Sequence, residues 1–264
     1  MLNLLLILLD ARRRCELKTT NDSNIEQIVS FYQNDTMLRY ELEGFRKQVE
    51  NFFLTWPGFS ISQNSVIHSI KSRIKDPEHL RDKLQRKMAN GREISINNFR
   101  HEITDLVGVR ILYLYQDQFQ IIHNEIMRQI NERKEWRLVE EPKAYTWDPE
   151  VASTYDKLGI NHEIKDTFYT SVHYVIKPYN DNSQTICCEI QVRTLFEEIW
   201  GEIDHSINYP HATNSIACRE QLKVLAKLIS SGTRLSDAIF RSYNEYMELC
   251  AEGTEGTGCQ AQES

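Results

Sequence analysis

One stretch, Thr185 to His205, constrains the fold more than any other, because a strand pattern runs directly into a helix start. Every second residue of its first half is apolar, and the alternate positions are polar: Glu189, Gln191 and Arg193. Side chains alternate between the two faces of a strand, so this spacing predicts one face in the core and one polar face. Thr194 and Glu197 then fit a capping box, in which both side chains accept hydrogen bonds from free amides at a helix start.

The polar residues of this strand suit two kinds of ligand. A carboxylate such as Glu189 binds a hard divalent cation, and a guanidinium such as Arg193 pairs with phosphate oxygens through two hydrogen bonds. An exposed strand face without a ligand explains the same alternation, and it is the commoner case for an isolated E-x-Q-x-R pattern. The rest of the chain has to separate the two interpretations.

The composition is that of a soluble globular protein, with 41% hydrophobic and 26% charged residues among 264. This length suits one large domain or two small ones. The formal charge of -7 argues against nucleic-acid binding by overall attraction. None of the six cysteines forms a C-x-x-C pair, so we predict neither a zinc site nor a disulfide framework and expect a cytoplasmic location.

Residues 1–60 are predicted to form an N-terminal helical extension, because apolar residues recur at helical spacing between residues 25 and 53. The apolar run within Met1 to Cys15 is too short for a membrane span, and arginines follow it instead of preceding it. We therefore expect neither a signal peptide nor a membrane partner. An amphipathic or packed helix and an extra segment from an upstream start codon explain this run equally well.

A basic segment lies between Lys71 and Arg92, where eight Lys and Arg residues stand against three Asp and Glu residues. Asp76 and Pro77 have the residue types of an N-cap and a first helical position, so we predict a helix from here to about Met88. Cations beside free helix amides favour a polyphosphate ligand. A solvated helix face with ion pairs one turn apart accounts for the same charges.

The middle of the chain is predicted to supply the centre of a sheet. Residues 103–115 are apolar on both faces, which predicts a covered central strand, and Asp105 at its start is either a turn residue or a metal ligand. A helix over 118–130 and a strand over 136–139 follow. The polar stretch 140–165 is expected to be a long functional loop with one helical turn at most.

A second polar strand face is predicted at residues 168–176, where Tyr169 and His173 alternate with apolar residues. Taken singly, these two residue types are more typical of packing and of a satisfied strand histidine than of catalysis. Turn residues at 180–183 join this strand to the one that carries Glu189 and predict a hairpin. Adjacent antiparallel strands place both polar faces on one side of the sheet, and this favours a functional site.

The C-terminal part is predicted to be helical and then disordered. Residues 211–250 are expected to form two helices hinged at the small residues Ser230 to Thr233. Residues 251–264 have little apolar content, so we expect a disordered tail there. The sequence contains neither an internal repeat nor a glycine-rich phosphate loop of the Walker or Rossmann kind.

The order of these motifs resembles the synthetase domain of the RelA/SpoT family, most closely its small single-domain members. The motifs are R-x-K before a basic helix, an Asp at a strand entry, Y-x-S-x-H, E-I-Q-x-R-T and a later His. The resemblance implies an α/β (α+β) fold at residues 61–210, with a mixed sheet of the nucleotidyltransferase type flanked by helices. It also implies a GTP pyrophosphokinase, which moves the β,γ-pyrophosphate of ATP to the 3′-hydroxyl of GDP or GTP and makes (p)ppGpp.

The resemblance assigns roles residue by residue. Asp105 and Glu189 are implied to hold Mg²⁺, with Mn²⁺ as the alternative ion, and Glu189 is also implied to be the base on the acceptor hydroxyl. The implied ATP ligands are Arg73, which resembles the adenine-stacking arginine, and Lys75, Lys83, Lys87 (or Arg86) and Arg110. The implied GTP or GDP ligands are Tyr169, which resembles the guanine-stacking residue, and Lys165, His173, Gln191 and Arg193.

This sequence departs from the family pattern at several positions. His79 stands where family members often carry Ser, and Lys165 to Tyr169 reads K-D-T-F-Y where they carry K-x-N-G-Y. The family's asparagine contact to guanine is therefore missing. Regular strand parity also places Arg110 on the face opposite to Asp105, and the hydrolase domain of the long members has no counterpart here.

Two other functions use the same motifs. A toxin-like relative would transfer pyrophosphate to the 3′ end of tRNA from the same donor site, and a catalytically silent nucleotide-binding regulator would keep only the fold. Retention of Arg73, Asp105, Tyr169 and Glu189 together argues against the silent regulator. The expected partners are ATP with GTP or GDP, while tRNA and a homo-oligomer (dimer or tetramer) stay open.

Overall fold

The computed structural model describes residues 21–61, 64–180, 186–208 and 212–254. The described strands are β1 (Ser60–Ile61), β2 (Asn64–Ser65), β3 (Ser69–Ile74), β4 (Val107–Tyr113), β5 (Trp136–Leu138), β6 (Lys143–Thr146), β7 (Asn161–Ile164), β8 (Ser171–Pro178) and β9 (Cys188–Thr194). The described helices are α1 (21–34), α2 (Thr36–Thr55), α3 (Pro77–Ala89), α4 (Phe99–Glu102), α5 (Gln118–Asn131), α6 (Pro149–Lys157), α7 (Leu195–Asn208) and α8 (Ile216–Thr254). None of these helices has the length and apolar character that a bilayer crossing requires.

The expected mixed sheet flanked by helices is confirmed. Its seven strands lie in the order β3-β4-β9-β8-β6-β7, and β5 pairs with β8 beyond the end of β6. The β4–β9 and β6–β7 pairs are parallel, and the other pairs in this sheet are antiparallel. The predicted hairpin is formed by β8 and β9, with His173 opposite Gln191. Residues 181–183 of its predicted turn lie outside the described residues.

Strand parity follows the sequence pattern. The apolar residues Cys188, Ile190 and Val192 of β9 are fully buried in the main core. Helices α1, α2, α3 and α5 contribute apolar residues to the same core. The opposite side of the sheet, here called the polar face, carries Glu189 and Gln191, and α7 contacts it. One side of the sheet is therefore available for chemistry.

Both predicted helix starts are confirmed. The Asp76 carboxylate accepts hydrogen bonds from the amides of Glu78 and His79 at 2.8 and 3.3 Å. In the capping box at the start of α7, the Thr194 amide donates to the Glu197 carboxylate at 2.8 Å, and the Glu197 amide donates to the Thr194 hydroxyl at 3.2 Å. Each bond satisfies an amide that has no partner inside its own helix.

The predicted hinge in the C-terminal part is wrong, because α8 is continuous from Ile216 to Thr254. The hydroxyl groups of Ser231 and Thr233 donate to carbonyls one turn earlier, so the small residues are accommodated within the helix. A side chain at Gly232 would approach the Phe196 ring to 3.1 Å, so this glycine permits close packing instead of a bend. The expected tail loses residues 251–254 to the helix, and its remainder lies outside the described residues.

The polar stretch 140–165 is also more ordered than expected, because it contains β6, α6 and β7. Asp148 caps α6 by accepting from the Glu150 amide at 3.0 Å, and Pro149 takes the first helical position. This Asp-Pro pair is the same start signal as the one before α3, although it stands in a stretch with weak apolar periodicity. The apolar run within Met1 to Cys15 lies outside the described residues.

Candidate active site

A row of polar residues crosses five neighbouring strands on the polar face. The strand register pairs each with the next: Lys71 (β3), Arg110 (β4), Gln191 (β9), His173 (β8) and Lys143 (β6). The adjacent row contains Arg73, Gly108 and Glu189. Residues paired across strands share a face of the sheet. The register therefore brings residues of the basic segment and of both polar strands onto one surface.

Arg110 lies on this polar face, and the parity argument that separates it from Asp105 does not apply, because Asp105 is outside the strand. Arg110 pairs with Gln191 in the register, and its Nε donates to Gln191 Oε1 at 3.4 Å. Asp105 belongs to the turn before β4, which begins at Val107, so strand alternation does not relate the two residues. Arg110 and Asp105 can therefore serve the same site.

Asp105 is held by two lysines of the basic segment. Its Oδ2 and Oδ1 atoms lie 2.8 Å from Nζ of Lys75 and from Nζ of Lys83, respectively. Burial by itself would raise the pKa of Asp105, but Lys83 and Lys75 hold it below its ordinary value. Burial lowers the pKa of Lys75, and the attraction of Asp105 opposes that effect. The predicted donor lysines thus already surround a predicted metal ligand.

Glu189 is oriented by its neighbours on the polar face. Nε2 of Gln191 donates to its Oε1 at 2.6 Å, and Nδ1 of His173 lies 3.8 Å from its Oε2. Burial lowers the pKa of His173 and raises the pKa of Tyr169. The Tyr169 hydroxyl lies 2.9 Å from Nε2 of His173, within hydrogen-bond distance. The other ring nitrogen of His173, Nδ1, faces Glu189.

Tyr169 belongs to an aromatic group that sequence reasoning described incompletely. The guanidinium of Arg193 lies 5.7 Å from the centre of its ring. Tyr145 of β6 packs edge-on against His173, with ring centres 4.9 Å apart, and Nζ of Lys165 lies 4.7 Å from the Tyr145 ring centre. Tyr145 was missed because its strand was taken for a loop. Lys165 reaches this group through Tyr145 and also forms an ion pair with Glu163.

Phe168 precedes this group and stands where the family pattern has glycine. Its φ is 60°, in the left-handed region, where a side chain costs about 1–2 kcal/mol. The Phe168 ring packs against Trp147 with ring centres 5.0 Å apart, and this contact helps to offset the cost. The loop therefore keeps a backbone conformation that suits glycine, although the residue type has changed.

A buried carboxylate that sequence reasoning missed, Glu198 of α7, gathers cations from three strands. Its Oε1 lies 2.7 Å from both Lys71 Nζ and Arg110 Nη1, and its Oε2 pairs with Arg193. Burial would raise the pKa of Glu198, but these three cations hold it well below its ordinary value. The adjacent pair of glutamates after the strand motif gave no sign of which one faces the site.

A cavity of about 860 Å³ opens over the polar face. Six predicted site residues line it: Arg73, Lys75, Arg110, Tyr169, Gln191 and Arg193. The other lining residues include His79, Arg86 and His205. The volume falls within the range of ordinary small-molecule sites, which is about 300–1,000 Å³. Lys87 is not among the lining residues, and it donates to the Glu102 carbonyl in the segment before Asp105.

The oxygen donors present fit a magnesium ion that arrives with a nucleotide. Asp105 and Glu189 lie near the same end of the parallel pair β4 and β9. Protein sites for Mg²⁺ usually supply one or two carboxylates, while phosphates and water complete the octahedron. Within the described ranges, no group of three or more His, Cys, Asp and Glu residues could hold a metal by itself. Asp105 and Glu189 could therefore supply the protein oxygens for such an ion.

This chain is similar to a known protein family and to two curated proteins. A family model described as the region found in RelA / SpoT proteins matches residues 72–214. GTP pyrophosphokinase YjbM of Bacillus subtilis (strain 168) is 25% identical over 228 residues, which cover 85% of this chain and 90% of YjbM. GTP pyrophosphokinase YwaC of the same strain is 28% identical over 152 residues, which cover 56% of this chain and only 61% of YwaC.

Solved structures show the same fold. The crystal structure of small alarmone synthetase 1 from Bacillus subtilis bound to its product pppGpp has a TM-score of 0.58 at 20% identity. The match covers 81% of this chain and 98% of that one. A GTP pyrophosphokinase family protein from Streptococcus pneumoniae has a TM-score of 0.53 at 22% identity, covering 86% and 94% of the two chains.

Proposed function

This chain belongs to the RelA/SpoT family, as its motifs predict, and from that premise we propose that it is a GTP pyrophosphokinase. The reaction moves the β,γ-pyrophosphate of ATP to the 3′-hydroxyl of GDP or GTP and yields (p)ppGpp. One observation carries the proposal: the sheet register puts the lysine- and arginine-bearing strands, Glu189 and the Tyr169 group on one polar face beside one cavity. A two-substrate phosphoryl transfer needs these parts together.

The donor nucleotide binds at the basic side of the cavity. Arg73 is exposed and lines the cavity, so its planar guanidinium is free to stack on a base. Lys75, Lys83 and Arg110 supply positive charge for the phosphates. Lys75 and Lys83 now neutralise Asp105, and a metal–phosphate group would offer partners to the lysines and to the carboxylate at once.

The carboxylates of Asp105 and Glu189 have different roles in the proposed reaction. Asp105 and Glu189 would hold Mg²⁺ or Mn²⁺, which neutralises phosphate oxygens when it is bound. Glu189 also takes the proton of the acceptor 3′-hydroxyl. Gln191 donates an N–H to one of the Glu189 oxygens, and the His173 ring lies 3.8 Å from the other, so both neighbours restrict its orientation. Held in this way, its carboxylate meets the proton-transfer requirement for a fixed base within hydrogen-bond reach.

The acceptor nucleotide binds at the Tyr169 group. The Tyr169 ring offers a stacking surface for guanine, and His173, Gln191 and Arg193 lie around it. Lys165 lies beyond Tyr145, and its positive charge suits the acceptor phosphates. Because stacking tolerates every base, preference for guanine needs hydrogen bonds from elsewhere, and the family's asparagine is absent here.

The exposed side of α8 supports the homo-oligomer expected as a further partner. Val224, Leu228, Leu235 and Ile239 recur along it and are between 57 and 64% exposed. An apolar stripe on a long helix favours packing against another helix. Light scattering coupled to gel filtration would give the mass in solution, and a monomer at all concentrations would contradict this part of the proposal.

The function is tested by incubation with γ-labelled ATP and, in separate reactions, with GDP, GTP and deacylated tRNA. We expect labelled (p)ppGpp from the guanine nucleotides, and we expect EDTA to prevent its formation. Label on tRNA alone would favour the toxin-like alternative. Nucleotide binding without any transfer would favour the silent regulator, which the named pyrophosphokinase and synthetase relatives do not support.

A further inference from the structure

Glu198 is the one residue of α7 that touches three strands of the polar face among the described contacts. It is 3% exposed, and it meets Lys71 of β3, Arg110 of β4 and Arg193 of β9. The Arg193 side chain is itself only 4% exposed. A buried guanidinium needs a counter-ion, and three cations on one surface repel each other without one. Glu198 therefore fixes the mutual positions of side chains from three strands.

Two chains of contacts lead from Glu198 to Glu189. The first passes through Arg110 at 2.7 Å, then from Arg110 Nε to Gln191 Oε1 at 3.4 Å. It ends with Gln191 Nε2 donating to Glu189 at 2.6 Å.

The second chain runs through the acceptor side. It passes from Glu198 to Arg193, whose guanidinium lies 5.7 Å from the Tyr169 ring centre. The Tyr169 hydroxyl is 2.9 Å from His173 Nε2, and His173 Nδ1 is 3.8 Å from Glu189. The two chains close a ring that includes one donor cation, the stacking aromatic and the proposed base.

We propose that Glu198 is a positioning residue that aligns the donor cation Arg110 with the acceptor platform Tyr169 around Glu189. This inference rests on the proposed function and adds a residue to which the sequence motifs assign no role. Glu198 acts through its arginines and does not touch the reacting atoms. Its two oxygens hold different cations: Oε1 contacts Lys71 and Arg110, and Oε2 contacts Arg193.

The packing of α7 gives separate support. A side chain at Gly201, three residues after Glu198, would approach Arg193 Nη1 to 2.9 Å. That distance is shorter than a methyl group and a nitrogen tolerate. The helix therefore lacks a side chain at the point where Arg193 passes, and this absence leaves Arg193 free to reach Glu198.

The test compares Glu198→Gln with Glu202→Gln. Glu202 lies one turn later and contacts the same Lys71 and Arg110, at 3.5 and 3.0 Å, but it is 56% exposed. We expect Glu198→Gln to lower kcat and to raise the KM for GDP or GTP, with kcat/KM reduced about a hundredfold, the cost of a misplacement near 1 Å. Glu202→Gln removes an exposed pair and should change kcat/KM at most about fivefold.

The split between constants separates positioning from mere loss of folded protein. A variant that is partly unfolded has fewer active molecules, so its kcat falls while both KM values stay. The melting temperature of each variant is measured in parallel. If Glu198→Gln does not fold, Gly201→Ala takes its place, because Ala favours the helix but displaces Arg193. We expect it to raise the acceptor KM.

The results distinguish this inference from the proposed function. If the wild-type protein makes no (p)ppGpp, the proposed function is wrong. If the wild type is active and folded Glu198→Gln has the same kcat and KM values as Glu202→Gln, the inference is overturned while the proposed function stands. The same holds if Glu198→Gln is unfolded and Gly201→Ala has wild-type constants.

Discussion

Gln191 donates a 2.6 Å hydrogen bond from Nε2 to Oε1 of Glu189, two residues earlier on the same face of β9. Residues at this spacing on a strand lean toward the same side, so the bond needs no other element to form it. The amide has no acid–base function at neutral pH, and its effect is to limit the rotation of the carboxylate. The strand thus carries both the proposed base and the group that orients it.

Glu189→Gln is expected to keep the fold and to abolish (p)ppGpp synthesis. The amide keeps the size of the side chain but can neither bind Mg²⁺ as an anion nor take the acceptor proton. Product formation and the melting temperature are measured on the same preparation, with Glu220→Gln on α8 as the control. Near-wild-type turnover in a folded Glu189→Gln protein would contradict the proposed mechanism.

Arg73→Ala and Lys75→Ala are both expected to raise the KM for ATP more than the KM for the acceptor. Their effects on stability should differ, because Arg73 is exposed whereas Lys75 is buried against Asp105. Lys75→Ala should cost about 1–3 kcal/mol, less than for a carboxylate left without any partner, since Lys83 remains. Arg81→Ala on α3 is the control. Equal rises in both KM values would contradict the donor assignment.

Tyr169→Ala should weaken GDP or GTP binding about tenfold to a hundredfold, the equivalent of roughly 1–3 kcal/mol of base stacking. Tyr169→Phe should restore most of the affinity because it keeps the ring. Its remaining deficit reports the lost hydrogen bond to His173, about 1 kcal/mol. Titration calorimetry with each nucleotide measures both variants. Unchanged binding in a folded Tyr169→Ala protein would rule out the stack.

Glu197 is expected to make stability depend on pH. Burial raises its pKa from 4.5 to about 7, against the hydrogen bonds from Thr194 that lower it. The folded state then holds a proton that the unfolded state has lost, so this contribution is complete below pH 4.5 and disappears as the pH rises through about 7.

The matching variant is Glu197→Gln, whose amide oxygen can still accept from Thr194. We expect its free energy of unfolding to fall less than that of the wild type between pH 5 and 8, with a difference of about 3 kcal/mol as the upper limit. Denaturant titrations of both proteins at several pH values measure this. Parallel curves would show that Glu197 titrates normally.

Local residue patterns determined much of the fold. The alternation of β9, the capping box at Thr194 and the Asp76 cap depend on residues two or three apart, and the structure contains all three. The same local rules failed in α8, where small polar side chains find hydrogen-bond partners that the sequence pattern does not reveal. The hydroxyl groups within α8 bond to their own helix, so the expected hinge is absent.

The sequence by itself determined which residue types are present at the site and which strands present them. Only the tertiary structure decided which of them meet. Lys71 and Glu198 are 127 positions apart, Arg110 and Glu198 are 88 apart, and no local period links them. Their contact depends on the order of strands in the sheet and on the path of α7. A buried anion gains its three cations only when those strands and that helix are assembled, because the interaction acts through space and not along the chain.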